Sequence, residues 1–236
     1  NYYASAPAVA AVLNGGEGIF HGGAVSPATK RLKNLMALTA VATALPLNMI
    51  LCDYLLYYPF LDMGTNDDQL LTNDVALPRY ADGAGVQVMA VMTNPQVTGG
   101  ATFNFDYIDQ DGNAATSATV ACGTATAIGS LINTMPATLN ASAHFLPLAN
   151  GDTGVRSITA FRMVAGSDVG LICLVLVKPI AQTSIRGIDA PVEVDYLVNG
   201  VQLPEVRDGA YLNFICRPGG SLAATPIHGT AEFIWS

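Results

Sequence analysis

Charge is what this sequence has least of. Only 12% of its residues are Asp, Glu, Lys or Arg, while 51% are apolar. A monomer in water relies on charged side chains for much of its surface. This composition therefore suits a protein covered largely by copies of itself or by a partner. Histidine is scarce as well: His21, His144 and His228 are too few and too scattered to define a catalytic or metal site. No serine sits in a nucleophile elbow, because residues 166–170 read G-S-D-V-G rather than G-x-S-x-G. No glycine loop ends in Lys-Ser or Lys-Thr, as a phosphate cradle requires. These absences remove the main hydrolase and nucleotide-binding patterns. The expectation is a non-enzymatic chain with no cofactor and no bound metal.

Long apolar runs are missing too. The longest uncharged one, Leu35 to Cys52, contains Pro46 and Asn48 and stops at Asp53. A spanning helix needs about 20 apolar residues, so this run is read as core and no membrane role is expected. The formal charge of −8 opposes free association with nucleic acid. Cys52, Cys122, Cys173 and Cys216 lie too far apart for a zinc knuckle or a redox pair. Each has apolar or strand-like neighbours, which predicts buried thiols and folding in a reducing compartment; disulfides stay open at this level. The chain starts at Asn1 with neither an initiator Met nor a basic-then-apolar leader, so processing or a preceding leader is expected.

What is present divides into three stretches. Residues 1–25 are rich in Ala and Gly and predict an extended N-terminal arm that orders on a neighbour. Residues 26–80 open with Ser26-Pro27, a helix-start signature. Leu35, Leu38, Val41, Ala42 and Leu45 then fall on one helical stripe before Pro46, which predicts a helix over 27–44 and a connecting segment. Residues 81–236 read as short strands separated by turns. Ala101 to Ile108 alternates, with Phe103, Phe105 and Tyr107 on one side, and Asp111-Gly112 marks a hairpin. Further strands are expected at 49–63, 86–92, 117–122, 141–148, 157–164, 170–178, 192–198, 210–216 and 230–235. Leu171 to Val177 is apolar on both faces, as a central covered strand would be. The fold class expected is mainly β: an antiparallel β-sandwich or jelly roll with an N-terminal arm and one helix.

Several short patterns carry a possible chemistry. Asp152-Thr153-Gly154 is the triplet of aspartic proteases, but Asn150-Gly151 precedes it where those enzymes have an apolar strand, so a turn is expected. Asp109-Gln110-Asp111-Gly112-Asn113 has the oxygen-rich look of a calcium loop without the downstream Glu, and a hairpin turn accounts for the same residues. Asp62, Asp67, Asp68 and Asp74 form a second acidic group, read as a solvated loop or a cation bridge between subunits. Asn140-Ala141-Ser142 is a lone glycosylation sequon. Lys30, Arg31 and Lys33 form the one basic cluster, read as a solvated first helical turn or a contact to an acidic partner. Tyr54, Tyr57, Tyr58 and Phe60 form the densest aromatic group, read as core, as an intersubunit anchor or as a sugar platform. With the basic cluster they are the interface candidates.

Four segments, 58–63 (YPFLDM), 77–83 (LPRYADG), 151–157 (GDTGVRS) and 208–212 (DGAYL), look like those of tailed-bacteriophage virion proteins. That resemblance implies a structural protein that decorates or reinforces the capsid exterior. Its partners would be the major capsid protein and further copies of itself, with no direct nucleic-acid contact, and assembly would take place in the host cytoplasm. The alternative is a receptor- or glycan-binding module of a tail fibre or spike, using Tyr57, Tyr58, Asp67 and Asp68.

Overall fold

The structure is a computed structural model that describes residues 6–95, 100–122, 127–132, 134–136, 144–166, 169–199 and 202–236. Fourteen strands follow in chain order: β1 (Ala11–Val12), β2 (Lys30–Leu38), β3 (Leu47–Asp62), β4 (Gln69–Leu70), β5 (Gln87–Asn94), β6 (Thr102–Asp109), β7 (Ala114–Thr116), β8 (Val120–Cys122), β9 (Thr134–Pro136), β10 (Val155–Ala165), β11 (Leu171–Ile185), β12 (Val192–Asp195), β13 (Leu212–Pro218) and β14 (His228–Trp235). Every described pairing between these strands is antiparallel. The mainly-β, sandwich-like expectation holds. No helix occurs among the described residues, so the one expected over 27–44 is a correction.

Two compact units divide the chain: residues 1–13 with 54–178, and residues 14–53 with 179–236. This division differs from the three stretches read from composition. In the first unit, β5 pairs with the first half of β11, while β10 and β6 anchor a sheet that also holds β4, β7, β8 and β9. The two sheets pack face to face. Leu55, Val88, Ile172 and Leu174 from one meet Phe103, Phe105, Ile158 and Phe161 from the other in one buried cluster. The alternation of β6 is the reason: Phe103, Phe105 and Tyr107 are fully buried while Asn104 and Asp106 stay partly exposed. Six consecutive residues of β11, Ile172 to Val177, are buried, as expected of a strand covered on both faces.

The second unit is a smaller sandwich. A three-stranded sheet, β12-β2-β14, lies over β13, the first half of β3 and the end of β11. Leu32 and Leu35 of β2 meet Leu51, Ala181 and Leu212. This packing explains why residues 30–38 are a strand. β2 is held on both sides, by Val192–Asp195 of β12 and by His228–Trp235 of β14. Pairing of that kind overrides local propensity.

Residues 6–25 are tied to their own chain. In the first unit the Ala8 N–H donates to Pro59 O, the Ala10 N–H donates to Thr72 O, and the Thr72 N–H donates to Ala8 O. In the second the Gly15 N–H donates to Gly209 O and the Ile19 N–H to Leu212 O. The arm expected to order on a neighbour has partners at home.

Candidate functional site

The triplet Asp152-Thr153-Gly154 has a structural explanation residue by residue. The Tyr107 hydroxyl donates to Asp152 Oδ2 at 2.5 Å and accepts the Ala149 N–H at 2.8 Å. Burial, helped by the Asp152 carboxylate, pushes the Tyr107 phenol up. The N–H groups of Thr153 and Gly154 both donate to Gln110 Oε1. Gly154 lies against backbone: a Cβ there would stand 2.0 Å from Gly83 O. Asp152 closes the turn over 149–152, its N–H donating to Ala149 O at 3.1 Å, and Thr153 and Gly154 lead from it into β10.

The oxygen-rich loop closes on itself in the same way. Asp109 Oδ1 accepts the N–H groups of Asp111 and Asn113, each at 2.8 Å, inside the hairpin from β6 to β7. No group of three His, Cys, Asp or Glu able to hold a metal occurs among the described residues. The Asn113 amide, with the Asp111 and Gly112 amides beside it, holds the Asp109 carboxyl below the usual carboxylate range against the opposing pull of desolvation. The sign follows from that direction. The stabilisation is full above the unfolded value of about 4 and is lost as pH falls through the lowered folded value. Asp109→Asn is therefore expected to lose stability at neutral pH and to converge on the parent protein in acid. Urea unfolding from neutral pH to about pH 2 checks this.

The aromatic candidates are interior. Tyr54, Tyr57 and Tyr58 are buried in the first unit, and only Phe60, at positive φ (59°), is partly exposed. The fully buried Tyr58 hydroxyl donates to Asn73 Oδ1 at 2.8 Å and accepts the Ile158 N–H at 3.0 Å. Asn73 Nδ2 in turn donates to Ile158 O at 2.8 Å. Two side chains thus pair both backbone groups of one β10 residue. Burial pushes the Tyr58 phenol up. Asp68, the acidic candidate beside them, is paired with Arg162 at 2.8 Å, and Arg162 also binds Asp106.

Of the basic cluster, Lys30 is the correction. Its side chain is 1% exposed, not solvated. Its ammonium donates to Gly23 O at 2.7 Å and to His21 Nδ1 at 3.1 Å, and lies 3.4 Å from Asp208 Oδ1. An ammonium can only donate, so His21 Nδ1 accepts and Nε2–H donates to Ala210 O at 3.0 Å. Asp208 also accepts the N–H groups of Val25 and Ser26. The motif joins residues 21–30 to residues 208–210. Arg31 donates to Leu203 O, and Lys33 pairs with Glu232 at 2.9 Å on the outside. Sequence reading missed this cluster because its members are far apart in the chain.

All four cysteines are free thiols. Burial pushes Cys52 up to about 12 and Cys173 and Cys216 up as well, so none of these three is a poised nucleophile. The sequon at 140–142 lies outside the described residues.

What remains is surface. Phe20 (85% exposed), Val198 (80%) and Trp235 (63%) in the second unit, and Leu70 (77%) in the first, present large apolar side chains to solvent. Asp195 Oδ1 accepts the N–H groups of Leu197 and Val198, fixing that apolar turn outward. The second unit also holds an apolar cavity of about 440 Å³ between its sheets, lined among others by Met49, Leu51, Phe214, Cys216, Ala231 and Phe233. No charged side chain lines it. No family model, curated protein or solved structure matches the chain.

Proposed function

We propose that the chain is a non-enzymatic virion structural protein that decorates or reinforces a phage capsid through contacts between copies and with the major capsid protein. The observation that carries this reading is the pairing of a charge-poor sequence with outward apolar side chains at Phe20, Leu70, Val198 and Trp235. Such groups gain roughly 25 cal/mol per Å² when covered, before ordering costs. The resemblance of four segments to tailed-phage virion proteins supplies the setting. Tyr57 and Tyr58, which a glycan-binding platform would present to solvent, are buried, and this supports the assembly reading over that alternative.

The test is the copy number of this protein in gradient-purified particles, counted against the major shell protein. Hundreds of copies are expected for a lattice component. A few to a few tens would move the protein to a tail or spike, and absence would overturn the assignment.

A further inference from the structure

We propose that the apolar cavity of the second unit is a binding site for one uncharged, hydrocarbon-rich small molecule of up to roughly 18 carbon atoms. This binding activity is separate from the assembly reading and stands or falls without it.

The cavity comes from the residues that face each other across the two sheets. The register sets Gly229 of β14 opposite Ala37 and Ala231 opposite Leu35. Residues opposite each other in a ladder share a face. Ala37 and Leu35 are buried in the core, so Gly229 and Ala231 belong to the inner row. That row carries almost no side-chain volume, where a sandwich ordinarily interdigitates large residues. Gly229 cannot take a longer side chain, since a Cβ there would stand 2.3 Å from Met36 O. On the facing sheet Leu51 pairs with Phe214 and Met49 with Cys216, and all four line the space. The core is split as a result. One cluster holds Leu35, Leu51 and Leu212, the other Ala37 and Met49, and the cavity draws its lining from both.

Size and lining select the ligand. Protein interiors leave few voids larger than a water molecule, and this one measures about 440 Å³. An apolar cavity of about 150 Å³ takes one benzene, so about three times that carbon count fits here. No Asp, Glu, Lys or Arg lines the walls. A charged ligand would be desolvated there without a counter-charge. A polypeptide occupant would bring backbone N–H and C=O groups that these apolar side chains cannot pair. The way in lies at the sheet edges. Among the described residues β13 has β3 as its one strand neighbour, and β14 has β2. Phe214 and Cys216 on β13, with Ala231 and Phe233 on β14, line the cavity and stay partly exposed. A small molecule entering between these two strands covers both rings.

The test titrates the full chain with N-phenyl-1-naphthylamine, an uncharged fluorophore of this size. One saturable site per chain is expected, cleared by decan-1-ol, and by the decanoate anion only at about tenfold higher concentration or more. Cys216 locates the site, because it lines the cavity and is partly exposed while the other three cysteines are buried. Saturating decan-1-ol is expected to slow its alkylation by N-ethylmaleimide about tenfold or more. Ala231→Leu adds a side chain to the inner row. It is expected to weaken fluorophore binding about tenfold or more without lowering the urea midpoint. An unchanged Cys216 rate would put the fluorophore on another surface, such as Phe20 or Val198, and overturn the proposal whether or not the variant folds. A wild-type chain with no saturable site, a folded variant that binds equally well, or decanoate as effective as decan-1-ol would overturn it too.

Discussion

Gly154→Ala is expected to lower stability by about 3 kcal/mol or more, the largest effect of any single methyl group in the first unit. The added Cβ would stand 2.0 Å from Gly83 O, 2.7 Å from the Gly85 nitrogen and 3.0 Å from the Gly83 carbonyl carbon. All three are backbone atoms, so no rotamer change relieves the contact. The segment they belong to is fixed in turn: the Gly83 N–H donates to Tyr80 O at 2.8 Å, and Gly83 O accepts the Val86 N–H at 3.0 Å. Gly151→Ala, three residues earlier, is the control. Its φ is +100°, but nothing stands within 4 Å of the new Cβ, so only backbone strain of about 1–2 kcal/mol is expected. Urea melts of the two variants separate a steric role from a conformational one. Equal losses would mean that Gly83 moves aside.

Lys30→Met is expected to cost about 3 kcal/mol, at the lower end for breaking a buried ion pair. Met keeps most of the stem and removes the ammonium. Asp208 then loses its cation, and Gly23 O and His21 Nδ1 lose their donor. Asp208 is 30% exposed, so water repays part of the loss. Lys33→Met removes the cation of an exposed pair and is expected to leave stability nearly unchanged. Equal effects at the two positions would contradict the burial that distinguishes them.

The difference between Lys30 and Lys33 also marks what was legible in the sequence. Period-two alternation at 102–109, the Asp111-Gly112 turn and the all-apolar run from Leu171 were enough to place β6, its hairpin and the central β11. Those signals are local, and local backbone geometry produced them. β2 was not legible as a strand. Its pairing partners, Val192–Asp195 and His228–Trp235, lie far along the chain, and the spacing of Leu35, Leu38 and Leu45 fits a helix when read alone. The tyrosines, read as core, as an intersubunit anchor or as a sugar platform, could not be assigned to one of these for a related reason. A run of Tyr, Pro and Phe looks the same whether a second sheet covers it or not, and in this chain one does. The Lys30 cluster needed three-dimensional closure before it existed at all.

The order in which the two units occupy the chain has a consequence for biosynthesis. The second unit takes residues 14–53 and then waits, because its remaining strands lie within 179–236. A ribosome releases all of residues 54–178 before β13 and β14 can meet β3 and β2. During that interval the first unit has every strand it needs, and domains generally fold as units during synthesis, N-terminal first. Met49, Ile50 and Leu51 meanwhile lack the β13 residues that pair with them. A chain stalled or cleaved before residue 212 would therefore present a folded half beside an unpaired apolar strand, a ready target for chaperones and proteases.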